Sequence, residues 1–123
     1  MKRLISALAV LGLAAFPAVA AARTIGTARA SGDFAIALAS GHTSHPHTIK
    51  VRVTSSPHQR VSVSWTMVCS KGFGAGSKSG DFAARTTVTR TLRMPYRHPD
   101  DCTVSASAQL ARGGHVKVTL LGT

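Results

Sequence analysis

Between Val61 and Cys69 every odd position is apolar or sulfur-bearing (Val61, Val63, Trp65, Met67, Cys69), and the even positions are mostly Ser or Thr. A period of two marks a strand with one face on a core and the other in water. The same alternation recurs along the chain. Thr48 to Thr54 sets Ile49, Val51 and Val53 against Lys50, Arg52 and Thr54, and Cys102 to Leu110 sets Cys102, Val104, Ala106, Ala108 and Leu110 against Thr103, Ser105, Ser107 and Gln109. Gly113-Gly114 then leads into Val116, Val118 and Leu120, the signature of a hairpin. Asp33 to Ala39 alternates Phe34, Ile36 and Leu38 with Ala, and Arg85 to Met94 sets Val88, Leu92 and Met94 against Thr87, Thr89, Thr91 and Arg93. No segment keeps a helical period over a dozen residues.

The connections carry turn chemistry. Gly41 to His47 is a loop, Ser55 to Gln59 a turn of hairpin length, and Pro95 to Asp101 a turn region. Ser70 to Ala84 is glycine-rich without a strong period and predicts a long loop holding at most one short strand. Residues 23–32 have no clear period and predict a flexible N-terminal arm. Arg90 falls on the apolar side of its strand, where an unpaired buried charge would cost several kcal/mol. It is therefore expected at a sheet margin, its stem packed and its guanidinium in water or paired with an Asp. Six strands at short spacing argue an all-β antiparallel sandwich or small barrel.

The first 22 residues read as a signal peptide. Lys2 and Arg3 precede an apolar stretch from Leu4 to Phe16, then Pro17 and a small-residue region in which cleavage after Ala20 or Ala22 fits. The competing reading is an uncleaved anchor, since Leu4 to Ala22 is long and nearly charge-free. No later segment is long enough to span a membrane. The expected organisation is 1–22 signal peptide, 23–32 arm and 33–123 sandwich domain. An exported chain with two cysteines is expected to oxidise them, and Cys69 and Cys102 have only each other as intramolecular partners.

The Trp-bearing strand ending in Cys69, facing a second strand that starts at Cys102, resembles the immunoglobulin-like sandwich. The run T-T-V-T-R-T-L-R-M-P before C-T-V-S-A-S-A-Q-L is similar to the E strand, Leu-x-x-Pro corner and F strand of fibronectin type III domains. The likeness covers about residues 49–121 and is shared by small exported single-domain proteins of high-GC actinobacteria. It implies an Ig-like sandwich of about six to seven strands, with a buried Cys69–Cys102 disulfide joining the two sheets, and it implies no catalytic residues.

Composition narrows the function. There is no Glu and no Asn, and four Asp oppose 15 Lys and Arg, so paired-carboxylate catalysis is poorly supplied. Without Lys2 and Arg3 the chain keeps 13 basic residues, a formal +9. The glycine-rich run has Lys78 and Ser79 but places Ser77 where a phosphate-binding loop requires Gly. His42, His45 and His47 are metal-ligating types within six residues, yet their loop setting with Pro46 favours weak, adventitious binding over a formed site, and no metal or cofactor is assigned. No Gly-x-Ser-x-Gly elbow or spare thiol is present, so the chain is read as non-enzymatic.

Charge is the feature with functional content. Lys50, Arg52 and Lys117 alternate away from the core and predict a surface for anionic envelope polymers or acidic glycans. Exposed aromatics are too few for sequence-specific nucleic-acid reading. The reading is a monomeric, secreted or extracytoplasmic binding or structural domain. The alternative is a secreted effector, such as a protease inhibitor or antagonist, presenting the loop 70–84.

Overall fold

The computed structural model describes residues 22–123. The leader expected over residues 1–22 therefore lies outside the described residues except at its last position. Eight strands follow: β1 (Arg23–Gly32), β2 (Ile36–Ser44), β3 (Ile49–Ser56), β4 (Arg60–Lys71), β5 (Gly74–Arg85), β6 (Val88–Leu92), β7 (Asp101–Leu110) and β8 (Gly114–Gly122). Two antiparallel four-stranded sheets are ordered β1-β8-β3-β6 and β2-β7-β4-β5. No described helix is long and apolar enough to cross a membrane.

The pairs β1/β8, β2/β7, β3/β6 and β4/β5 form one long antiparallel ribbon, rolled so that β8 meets β3 and β7 meets β4. This is the strand order of a double-sheet jelly roll. The all-β sandwich expected from the alternation is present, with eight strands in place of six or seven. The order differs from the immunoglobulin-like one, in which the first two strands are neighbours in one sheet. Here they lie in different sheets.

The core fills the space between the sheets as the alternation requires. Ile49, Val51 and Val53 of β3 and Val116, Val118 and Leu120 of β8 face Val61, Val63 and Met67 of β4 and Val104, Ala106, Ala108 and Leu110 of β7. Burying a Val, Leu or Ile side chain contributes about 1.5–3 kcal/mol, so this set outweighs any polar contact in the molecule. Of the three buried polar side chains among the described residues, Thr43, Gln59 and Thr119, Gln59 is the least exposed, at 3%. Its Nε2 donates to Gly113 O at 3.0 Å and its Oε1 accepts from Arg112 N at 2.8 Å, pinning the β7–β8 turn.

The two long sides of the sandwich close differently. At one side β1 and β2 cross so closely that a Cβ on Gly26 would run into the Ser40 carbonyl, and one on Gly41 into the Ile25 carbonyl. Ile25 sits at an irregularity in the β1–β8 register, between Thr24 and Gly26. At the other side the edge strands β5 and β6 stand apart, and Trp65, Phe82, Met94 and Tyr96 fill the gap, partly buried. Arg90 lies on edge strand β6 with its guanidinium carbon 4.5 Å from the centroid of the Phe82 ring. The expected margin position holds, with a ring face in place of an Asp as partner.

Three strand assignments expected from the sequence are corrected. Residues 23–32 form a full strand against β8 instead of a flexible arm. Residues 74–85 form a twelve-residue edge strand on β4 instead of a loop. The glycines that disguise β5 make room for aromatic rings. Trp65 lies over Gly80, its cross-strand partner, and the Tyr96 ring and Pro95 lie over Gly76. The third correction concerns β2, where Ala37 and Ala39 face the core and Ile36 and Leu38 are exposed, as is Phe34 in the turn before it. Next to the crossing with β1, little room remains for larger inward side chains.

The disulfide is present, but it does not join the sheets. Cys69 and Cys102 stand directly opposite each other on the neighbouring strands β4 and β7, with Cα atoms 4.1 Å apart. The jelly-roll order makes those strands neighbours, so the bond staples one sheet on its core side. A sequence separation of 33 corresponds to about 3–4 kcal/mol on the chain-entropy model. The Cys69→Ala/Cys102→Ala variant is expected to melt about 10–25 °C below the wild type by calorimetry. A drop within experimental error would remove the staple from the account.

A second expectation concerns the crossing. Gly41→Ala should lose about 1–3 kcal/mol in urea unfolding, because backbone must move. Gly76→Ala, whose added carbon would meet Pro95 and Tyr96 side chains at 3.3 Å, should lose less. Equal losses would contradict the backbone contact.

Candidate functional site

Strands β3 and β8 are the two central strands of their sheet, so the alternation that buries their valines turns Lys50, Arg52 and Lys117 onto one outer face. Arg52 lies opposite Thr119, and Lys117 lies opposite Thr54. The β1 strand adds a cation that sequence reading missed. Arg29 stands directly opposite Lys117, giving a row Arg29, Lys117, Thr54 beside a row Thr27, Thr119, Arg52, Thr89. Assigning residues 23–32 to an arm hid Arg29. The faint alternation of Ala28 and Ala30 with Thr27, Arg29 and Ser31 was the signal available.

No carboxylate stands in these rows. Asp33 lies beside Gly113 at the end of the hairpin, and Asp81 is on β5 of the other sheet. Asp100 accepts from Gly72 N at 2.7 Å, and Asp101 accepts from Ser44 Oγ at 2.9 Å. Among the described residues the ion pair is His42 Nε2 to Asp101 Oδ1, 3.4 Å. The face cations thus have no acidic partner among the described residues. Arg52 Nε makes one long contact, 3.5 Å, to Thr89 Oγ1. Unpaired cations on neighbouring strands sum to a positive field that attracts polyanions.

The opposite outer face is chemically different. Its register places Ser40, Ser105, Thr66 and Ser79 in one row and Leu38, Ser107, Ser64 and Asp81 in the next. Thr66 Oγ1 and Ser105 Oγ are 3.0 Å apart. Neither row holds a Lys or Arg, so hydroxyls dominate the middle of this face, with Arg60 and Arg85 opposite each other at its end.

The histidines divide. His42 points outward beside Asp101, whereas His45 and His47 line a depression with His98 between the buried Pro46 and Pro99. Among the described residues no group of three potential ligands could hold a metal ion. Ser31 Oγ lies 2.6 Å from His115 Nδ1. Among the described residues no carboxylate bonds that ring, which leaves the pair short of a triad. Lys78 and Ser79 belong to the extended β5, so the glycine-rich run forms no phosphate-cradling loop.

No family model matches the chain, and no curated protein matches it. Solved structures with some likeness of fold include TmCBM61 in complex with β-1,4-galactotriose, at 9% identity and a TM-score of 0.48 over 85% of this chain and 90% of that one. Another is a Parabacteroides distasonis protein described as secreted, at 9% identity and a TM-score of 0.38, covering 83% of this chain and 59% of that one. A third is Fe(II) HppE, at 8% identity and a TM-score of 0.30, covering 74% of this chain and 44% of that one.

The effector alternative depends on a displayed loop over 70–84, and most of that segment is strand. An edge strand pairs every second residue with its neighbour and turns the others' amides to solvent. Hydrogen exchange over residues 74–85 is therefore expected to alternate between slow and fast amides. Uniformly fast exchange would restore the loop.

Proposed function

We propose that the chain is an exported, non-enzymatic binding or structural domain that associates with anionic envelope or extracellular polymers, acidic glycans included. Binding runs through the outer face of the β1-β8-β3-β6 sheet. The observation that carries the reading is the grouping of Arg29, Lys50, Arg52 and Lys117 on one face whose rows hold no carboxylate. Export is proposed on the N-terminal pattern of Lys2, Arg3 and the apolar run, and the Cys69–Cys102 bond fits an oxidising compartment. The same proposal places the chain among small, monomeric exported proteins of the actinobacterial kind.

The mechanism is charge attraction across a flat surface. Each basic residue held against an anionic lipid surface contributes about 1 kcal/mol, so three such residues contribute on the order of 100-fold in affinity to a comparable polyanion. Exposed charges are screened beyond about 8 Å at physiological ionic strength, so binding weakens as salt rises.

Co-sedimentation with purified cell-wall polymer across a salt series tests this. The wild type should bind at low salt and release as salt increases. The Lys50→Gln/Arg52→Gln/Lys117→Gln variant should bind on the order of 100-fold more weakly. Absent or salt-insensitive wild-type binding, or a variant that binds equally well, would remove the reading.

A further inference from the structure

The basic face is not uniform along its length. At one end, where β6 no longer flanks β3, it sinks into an open depression of about 540 Å³ lined by three strands. Two consecutive outward rows of the register frame it: Arg29, Lys117 and Thr54, then Ser31, His115 and Ser56. Strands lie about 4.8 Å apart and alternate side chains about 7 Å apart along a strand, so all six groups fall within a patch of small-molecule size. Lys50 lies four residues further along, roughly 13 Å away, outside the lining.

We propose that this depression is a subsite for a single phosphoryl group, so that the polyanion class recognised is a phosphodiester polymer in preference to a polycarboxylate. The proposal rests on the binding face described above and names its ligand chemistry. Every side chain in the two rows offers a hydrogen-bond donor, two are fixed cations, and none is a carboxylate. The donors approach from three strands. A tetrahedral phosphoryl group presents oxygens in several directions, whereas a carboxylate presents two in one plane. Arg29 supplies the planar fork suited to phosphate, and Lys117 supplies a compact point charge.

The Ser31–His115 contact adds a directional element. With Ser31 O–H donating into Nδ1 at 2.6 Å, the ring carries its proton on Nε2 and donates from there. With the ring protonated on both nitrogens, Nδ1 donates to Ser31 Oγ and frees the hydroxyl hydrogen. In either state the pair offers a donor besides the one it spends internally. Pure charge attraction would not require such an arrangement. The volume lies within the range of small-molecule sites and leaves space for the groups on either side of a phosphodiester.

Two measurements test the subsite separately from the face. The first compares binding of polyglycerol phosphate and polygalacturonate, matched in length and charge, at one ionic strength by fluorescence anisotropy. The wild type is expected to prefer the phosphate polymer at least tenfold. Ser31→Ala/His115→Ala, with its melting curve unchanged, should lose that preference and keep its polygalacturonate affinity. Lys50→Gln/Arg52→Gln should weaken both polymers alike. Equal wild-type affinities, or a preference that survives Ser31→Ala/His115→Ala, would overturn the subsite.

The second titrates the wild type with glycerol phosphate and reads backbone and imidazole resonances. Saturable shifts confined to residues 29–31, 54–56 and 115–117 would support the subsite even if no polymer bound, in which case only the wider face would fall. No shift at tens of millimolar would overturn it.

Discussion

The fold depends on a contact between two backbones. Gly26 of β1 and Gly41 of β2 pass each other with no room for a side chain, and this crossing brings the two sheets together along one long side. The opposite side cannot close in the same way, because the sheets splay apart there and rings must occupy the gap. Trp65 and Phe82 fill it, and the Arg90 guanidinium caps the Phe82 ring. One side is thus closed by the smallest residue and the other by the largest.

The rolled ribbon decides which residues become neighbours. It lays β8 between β1 and β3, so cations from three distant segments, Arg29, Lys50 with Arg52, and Lys117, reach one surface. It also lays β7 between β2 and β4, which gathers the Ser and Thr rows on the other outer face and puts Cys102 opposite Cys69. The gathering of cations on one face, the hydroxyl rows on the other and the in-sheet disulfide therefore have a common origin in strand order.

Within the basic face, charge and shape do different work. Lys50 and Arg52 stand outside the depression, and in the proposed function they act at range. At the far end the sheet loses its flanking strand and gains a concavity with two cations, an imidazole and hydroxyls. In the proposed function, long-range attraction brings a polymer to the surface, and the donor-lined hollow is where a phosphoryl group is told from a carboxylate.

The sequence alone determined that the chain is all-β, that Val and Ile positions on β3, β4, β7 and β8 face a core, and that Lys50, Arg52 and Lys117 face away from it. Those facts follow from a period of two, which each strand carries locally whatever its neighbours are. The cysteine pairing was legible by elimination, and the margin position of Arg90 from the cost of burying its charge. Strand order was not legible, because alternation fixes the face of a residue and says nothing about which strand lies beside it. β1 and β5 escaped for a related reason. Several of their inward positions hold Ala or Gly, dictated by what packs on them: the crossing with β2 beside β1, and the rings of Trp65 and Tyr96 over β5. A small residue that accommodates a partner looks, in the sequence, like a residue that belongs to a loop. Only the tertiary structure supplies the partner.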